Sequence, residues 1–242
     1  MAALFSAELL KLRTVRSTWL LLLSAQVFTL AGALGPVVSG DDVSDPGTWS
    51  RSAAHAGLAA MFALVLGIFA VAGEHRHKTI IETYLAVPLR DRVVAAKVVA
   101  YTAAGLVFGV AAAATGFVTT AVAVKAKGGA FDAADTELWR TLAGSVAWNA
   151  AFAAIGVGVG ALVRNLAGAV AAALAWIAVV EGVVAVLLGD DLARWLPLAG
   201  GQALAGMGGG GLSQAGAGVL LAGYAALIGV LAAWTTLRRD VA

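Results

Sequence analysis

The chain of 242 residues is 61% hydrophobic and only 12% charged, with a net charge of +2 and no cysteine. Soluble domains carry about 25% charged residues, so a chain this apolar is expected in a membrane and not in water. The lack of cysteine excludes disulfide bonds, thiolate catalysis and cysteine-ligated metal.

Long apolar runs divide the chain into segments that could cross a membrane. A helix needs about 20 apolar residues to cross roughly 30 Å of hydrocarbon. Six runs are at or near that length, at about residues 18–38, 53–72, 93–124, 138–162, 166–188 and 215–237. They lack the alternation over about 10 residues that marks barrel strands. The sequence therefore predicts an all-α integral membrane protein with six transmembrane helices in a single domain, residues 1–242.

The flanks of the first span contain two local patterns. Residues 3–17 place Phe5, Leu9 and Leu12 on one stripe, which predicts a short helix lying in the membrane interface, with an ordinary basic flank as the alternative. The first apolar run is longer than the 7–15 residues of a signal peptide, so we interpret it as a retained span. After that span, residues 45–47 (Asp-Pro-Gly) indicate a turn.

A charged, amphipathic segment from Gly73 to Arg92 separates the second and third spans. Apolar side chains recur in it at roughly helical spacing, between basic residues. The apolar residues are Ile80, Ile81, Tyr84, Leu85 and Val87, and the bases are Arg76, Lys78, Arg90 and Arg92. This pattern predicts an amphipathic helix at the cytoplasmic membrane surface, where a soluble partner can bind. His75 and His77 diverge at a spacing of two residues on a helix, so no metal site is predicted there.

Small residues in the third and fourth spans predict close helix packing. Gly105 and Gly109 are four residues apart, as are Gly156 and Gly160. This spacing places both glycines of a pair on one helix face and lets a second helix approach. Packing within one chain is the expected use, and a seam between two chains is the alternative.

Glu181 is the one acidic residue inside an apolar run, about seven residues from the end of the fifth span. A charge at mid-bilayer costs roughly 2.5–3.5 kcal/mol on insertion scales, so such residues usually face a cavity or a partner. Glu181 is therefore a candidate pathway or gate residue, and a hydrogen-bonded residue in helix packing is the alternative. The following segment, 189–214, mixes glycines with Trp195 and Pro197, which predicts an outer re-entrant segment or a glycine-rich loop.

The distribution of basic residues predicts that both termini are cytoplasmic. Eleven of the 16 bases lie in the termini, in the segment between spans two and three, just beyond it at the start of span three, or in the turn between spans four and five. These bases are Lys11, Arg13, Arg16, Arg76, Lys78, Arg90, Arg92, Lys97, Arg164, Arg238 and Arg239. Bases concentrate on the cytoplasmic side of membrane proteins. We interpret Arg164 and Asn165, in the short turn between spans four and five, as a topological anchor.

The order of these features resembles the permease subunit of bacterial type-2 ATP-binding-cassette exporters over nearly the whole chain. The resemblance begins with residues 8–13 (Glu-Leu-Leu-Lys-Leu-Arg) and includes Glu181 followed by residues 194–197 (Arg-Trp-Leu-Pro). The permease pattern after the second span falls on Glu74, Thr79, Pro88, Arg90 and Lys97. Lys78 departs from it, because that pattern commonly has glycine there. The bias towards alanine, glycine and valine is typical of a high-GC actinobacterium.

The resemblance implies that residues 73–92 form a coupling helix that docks on a separate ATP-hydrolysing subunit. The implied docking residues are Glu74, Arg76, Lys78, Thr79, Pro88, Arg90 and Arg92. ATP and Mg would bind that ATPase and no cofactor would bind this chain, which lacks a GxxxxGK[ST] loop and is not expected to be an enzyme. The implied assembly is a homodimer or a paired permease in the bacterial plasma membrane, with Glu181 near the pathway and no nucleic acid.

The implied function is ATP-driven export of a drug, peptide or lipid-like substrate. A membrane scaffold or assembly factor is the first alternative, since the same charged segment could recruit a different soluble protein. A proton-coupled transporter that titrates Glu181 is the second, although no inverted repeat or further intramembrane acid accompanies it.

Overall fold

The computed structural model describes residues 2–87, 89–207 and 211–238, and this part of the chain is helical and contains no strand. The first helices are α1 (Ala2–Thr14), α2 (Arg16–Val38), α3 (Pro46–Leu58), α4 (Ala60–Arg76), α5 (Ile80–Ala86) and α6 (Arg90–Ala126). They are followed by α7 (Thr136–Val163), α8 (Leu166–Ala175), a π-helical turn (Trp176–Val180), α9 (Glu181–Leu188), α10 (Asp190–Ala193), α11 (Pro197–Leu204) and α12 (Gln214–Arg238).

Six helical segments of the described chain are long and apolar enough to cross a membrane, which confirms the predicted number of spans. They cover Arg16–Val38, Pro46–Arg76, Arg92–Ala126, Thr136–Val163, Leu166–Leu188 and Gln214–Thr235. Because the number is even, α1 and the end of α12 lie at the same end of the bundle. We call this end, which also contains α5 and the turn between α7 and α8, the basic end.

The second span is longer than predicted because residues 45–47 start a helix instead of forming a turn. Asp45 is the N-cap of α3, and its side chain accepts a hydrogen bond from the Gly47 amide at 2.9 Å. Pro46 follows in the first helical turn, where its missing N–H costs nothing. The interpretation of these residues as a turn was therefore wrong, since Asp and Pro suit a helix start as well as a turn.

The second and fourth spans form the centre of the bundle, and glycines allow their close contact. A Cβ added to Gly156 would clash with the carbonyl oxygen of Leu64, and one added to Gly67 with the carbonyl oxygen of Ala153. Gly105 of α6 meets the backbone of α7 in the same way, at Asn149. These glycines therefore serve packing within one chain, as expected. The fifth span lies at the periphery, with only 6% of its apolar window buried by the chain.

The N-terminal segment forms the expected helix, which packs against the bundle. Leu12 is buried, and the partly buried Phe5 packs against the same cluster of core residues from α4, α6 and α7. Val15 is extended, with φ −82° and ψ 122°, and separates α1 from the first span. This break lets α1 change direction at the membrane surface and reach the neighbouring helices.

Between spans five and six the chain turns back into the bundle. Gly200, Gly201 and Leu204 of α11 are buried, and a Cβ on Gly201 would clash with the indole of Trp148. Trp148 is twelve residues from the start of α7, which corresponds to about 18 Å of helix rise. The predicted re-entrant segment is thus present as a short helix packed against α7 and α12.

Candidate functional site

Four charged side chains from three helices meet at the basic end of the bundle, and we call them the ion network. Glu8 and Lys11 come from α1, Glu74 from the end of α4 and Lys97 from α6. Lys97 Nζ donates hydrogen bonds to Glu74 Oε1 at 2.7 Å and to Glu8 Oε1 at 2.9 Å. Lys11 Nζ donates to the same two oxygens. The network therefore ties α1 to the ends of two spans.

Burial makes the ion network a structural requirement. Lys97 is 1% exposed and Glu8 is 3% exposed, and an unpaired charge at such a depth would cost several kcal/mol. Lys97 also donates to the carbonyl oxygen of Ala70 at 3.0 Å, so all three of its N–H groups have acceptors. Two carboxylates and two ammonium groups leave the network without net charge.

Lys11 closes the network on its solvent side. Burial disfavours its charged form, but hydrogen bonds from Lys11 to Glu74 and Glu8, together with their negative charges, outweigh that effect and raise the pKa of Lys11 above its ordinary value. Lys11 therefore remains protonated at neutral pH. Its side chain is 40% exposed, so it can shield the two acids from water while Lys97 pairs with them from inside.

The segment that follows Glu74 presents charge to solvent. Arg76, Lys78 and Thr79 are exposed where α4 ends and the chain turns into α5. Ile80 is 3% exposed and holds the start of α5 on the bundle. Arg92, in the first turn of α6, is also exposed. An amphipathic helix with basic residues around it thus lies between spans two and three.

Glu181 lies at the opposite end of the bundle, directly after the π-helical turn of the fifth span. Both of its carboxylate oxygens accept a hydrogen bond from the Leu198 amide, Oε2 at 2.9 Å and Oε1 at 3.1 Å. Leu198 is the second residue of α11, so the carboxylate binds the N-terminal turn of the re-entrant helix. Glu181 is 5% exposed, and this contact compensates for its burial.

The other end of the re-entrant helix is held by a side chain of the sixth span. Gln214 Nε2 donates to the carbonyl oxygen of Leu204 at 2.7 Å and to that of Arg140 at 2.8 Å. Polar backbone groups inside a membrane protein need such partners, because no water is available there to form hydrogen bonds with them. Glu181 and Gln214 therefore satisfy backbone groups at both ends of α11.

A cavity of about 600 Å³ adjoins Glu181 on the outside of α11. Asp190, Asp191, Arg194 and Gln202 also line it, together with apolar residues of the fifth span. Arg194 pairs with Asp191 at 3.4 Å. The arrangement combines a polar mouth with an apolar wall next to the helix that Glu181 binds.

Comparison with known proteins identifies this combination of spans and short helices. A family model for ABC-2 family transporter proteins matches residues 4–197. The chain belongs to this family. The comparison with curated proteins found no match to this chain. Family membership makes the chain a membrane-embedded permease subunit of an ABC transporter, with an ABC ATPase subunit as its partner.

The predicted docking residues of the ABC-2 permease divide into two groups. Arg76, Lys78, Thr79 and Arg92 are exposed at the basic end. The carboxylate of Glu74 points into the ion network, and its side chain is 11% exposed. Pro88 and the side chain of Arg90 lie outside the described residues, as does Arg239.

Sequence reasoning missed the ion network of the permease. Lys97 was predicted as one of the bases of the cytoplasmic side and Glu8 as part of the opening residues 8–13 of the permease pattern, without a connection between the two. The available indication was that Glu8 and Glu74 are acids among bases that mark the basic end. Among the described residues there is no group of three or more His, Asp and Glu that could hold a metal.

Lys78, which stands where the family pattern commonly has glycine, adopts a backbone conformation that favours glycine. Its φ is +58°, in the left-handed region that glycine adopts freely and that costs other residues roughly 1–2 kcal/mol. A glycine would fit this turn between α4 and α5 without strain, and the lysine adds a positive charge to it.

Substitutions at Lys78 are expected to show that the stability of the permease depends on the backbone conformation of the turn and not on the charge of the side chain. Lys78→Gly should leave the thermal unfolding temperature of the permease unchanged or slightly higher, because glycine fits the positive φ. Lys78→Val should lower the unfolding temperature, because a β-branched residue strains this conformation and reduces the free energy of unfolding by about 1–2 kcal/mol. Unfolding followed by tryptophan fluorescence in detergent measures both. Equal stability of the two variants would contradict a left-handed turn at this position.

Proposed function

We propose that this ABC-2 permease exports a drug, peptide or lipid-like substrate outward across the bacterial plasma membrane, as a homodimer or with a second permease chain. ATP and Mg bind the partner ATPase in this proposal, and this chain binds no cofactor and catalyses no reaction. Both termini and the basic end then face the cytoplasm, as the distribution of basic residues predicts. The whole chain acts as one transmembrane domain.

The observation that supports this function most directly is the structure of the described residues between 73 and 92. Their exposed bases surround a short amphipathic helix, whereas Glu74 is held inside by Lys97 and Lys11. The segment therefore offers cationic groups to a partner while its first turn is fixed to two spans and to α1. A movement imposed on α5 by the ATPase would reach α4, α6 and α1 through the same contacts.

Each predicted docking residue has a separate part in this proposal. Arg76, Lys78, Thr79 and Arg92 contact the ATPase directly, and Pro88 and Arg90 are assigned to the same surface from the sequence pattern. Glu74 acts as a positioning residue instead, since its carboxylate is occupied within the chain. Glu181 holds the re-entrant helix, which acts as the outer gate of the pathway.

Docking is tested by removing exposed charge without changing the fold. In the double variant Lys78→Asn with Arg92→Gln, we expect at least a several-fold loss of the ATPase that co-purifies with the tagged permease from its native host, because two cationic contacts are lost. Asparagine is chosen since it tolerates the positive φ of residue 78. ATP hydrolysis in the purified complex should fall in parallel.

The matched control removes two exposed bases from the other end of the bundle, with Lys125→Asn and Arg140→Gln. This control should retain the ATPase. Full retention of the ATPase by the Lys78 and Arg92 variant would refute docking at residues 73–92. A preparation of the unmodified permease without any ATPase, repeated in a second detergent, would instead favour a scaffold.

A further inference from the structure

The turn between α7 and α8 and the end of α4 enclose a second polar site at the basic end of the bundle. This cleft has a volume of about 500 Å³ and is lined by His75, Arg76, Arg164, Asn165, Leu166 and Ala167. It lies between the last residue of the second span and the first residue of the fifth, at the level where the apolar spans end. A ligand of the cleft is therefore at the depth of lipid headgroups.

The cleft is positively charged and lacks a matching acid. Among the residues that the structure describes, neither Arg76 nor Arg164 has a carboxylate within ion-pair distance. Glu74, the acid nearest to Arg76 along α4, is already bound by Lys11 and Lys97. Two unpaired guanidinium groups that share one cleft favour an anionic ligand with several acceptor oxygens.

The backbone and Asn165 add donors to the same cleft. Asn165 is the N-cap of α8, and its Oδ1 accepts from the Gly168 amide at 2.8 Å, which leaves the NH₂ group free to donate. Arg164 ends α7 with φ +57°, so the chain reverses within two residues and places Arg164 beside the start of α8. Arg164 is partly buried in this corner.

An apolar surface continues from the cleft into the membrane. Of the ten residues of α8, which begins at Leu166, only Ala169 is buried by the chain. Val163 and Leu174 are exposed near the two ends of this surface, at 42% and 40%. A free phosphate would use the donors but not this surface, whereas a phospholipid would use both.

We propose that the cleft binds the phosphate headgroup of an anionic phospholipid, whose acyl chains lie along the exposed face of α8. Basic pockets between transmembrane helices bind anionic headgroups by this combination of charge and depth. The lipid joins the fifth span to the end of the second span, next to the segment that is proposed to dock on the ATPase. Arg76 belongs to both the cleft and that segment, whereas Arg164 belongs to another turn, so substitutions at Arg164 test lipid binding separately from docking.

The test is native mass spectrometry of the full-length permease, titrated in detergent with phosphatidylglycerol or with phosphatidylcholine that has the same acyl chains. We expect selective retention of phosphatidylglycerol by the unmodified chain. An arginine near the membrane surface contributes roughly 1 kcal/mol, so Arg164→Asn should weaken retention about five-fold. Arg76→Gln together with Arg164→Asn should weaken it about 25-fold, and Arg164→Lys should preserve most of it.

Arg13→Gln is the matched control, because Arg13 is an exposed base of the same end that lies outside the cleft. This control should bind phosphatidylglycerol as the unmodified chain does. Equal retention of the two lipids, or an equal loss in the Arg13→Gln control, would overturn the proposal. Displacement of the lipid by inorganic phosphate would also overturn it and would indicate a site for a soluble anion. Loss of ATPase binding in Arg164→Asn without any lipid selectivity would identify the cleft as a protein contact.

Discussion

Replacement of Lys97 by methionine is expected to destabilise the permease by about 3–5 kcal/mol, the usual cost of removing one partner from a buried ion pair. Methionine has a similar length and suits the apolar surroundings of residue 97, so lost packing contributes little. The loss leaves Glu8 and Glu74 with Lys11 alone, and Lys11 is itself 40% exposed. The apparent unfolding temperature in detergent, followed by tryptophan fluorescence, measures the effect.

A control and a second substitution distinguish the ion network from general damage to α6. Lys125→Met makes the same change in an exposed lysine near the other end of α6 and should be neutral. Glu8→Gln combined with Lys97→Met restores electroneutrality, because Glu74 and Lys11 remain as one pair. The double variant should therefore recover part of the lost stability. If Lys97→Met were as stable as Lys125→Met, Lys97 would not be a buried partner of both acids.

The same experiment has a functional consequence for residues 73–92. Glu74 precedes the exposed turn by a few residues, and Lys97 fixes it to α6 while Lys11 fixes it to α1. Without Lys97 the ion network links the start of the segment to α1 and no longer to α6. ATP hydrolysis that continues while transport falls is therefore the expected defect of Lys97→Met in the assembled transporter.

The six spans were predictable because they depend on composition alone. An apolar run of sufficient length has to form a helix in lipid, whatever its neighbours are. The glycine pairs were predictable for a similar reason, because Gly105 and Gly156 remove side chains from a helix face and only a neighbouring backbone can fill that space. Both features follow from local residue patterns.

The ion network was not predictable because its partners are far apart along the chain. Glu8 and Lys97 are 89 residues apart, and the contact depends on the break at Val15 that turns α1 back towards α6. A lysine beside a span also has a simpler explanation as a topological charge. The π-helical turn before Glu181 was not predictable from the sequence either, since its residues would suit an ordinary α-helix.

Glu181 was found from the sequence, but its partner was not. An acid inside an apolar run indicates a polar contact, but the sequence does not identify that contact as a substrate, a proton or the protein itself. Here the contact is the Leu198 amide, 17 residues further along the chain. This geometry favours an anchor for the re-entrant helix.

Glu181→Ala is accordingly expected to release the re-entrant helix, whereas Glu181→Gln is not. Alanine leaves the Leu198 N–H of a buried helix end without its acceptor, which costs about 1–3 kcal/mol. Glutamine keeps one acceptor oxygen for the same amide. Transport should therefore fall severely in Glu181→Ala and stay near normal in Glu181→Gln.

Cysteine labelling measures this release directly, because the chain has no cysteine of its own. Leu204, 6% exposed in α11, is replaced by cysteine and treated with a maleimide, and Asp191→Cys provides the exposed reference. Labelling at 204 should be slow in the parent and in Glu181→Gln and fast in Glu181→Ala. A Glu181→Gln variant that labels slowly but no longer transports would contradict the anchor role, because the helix would then be in place and only the negative charge would be missing. Such a result would assign Glu181 to the pathway itself.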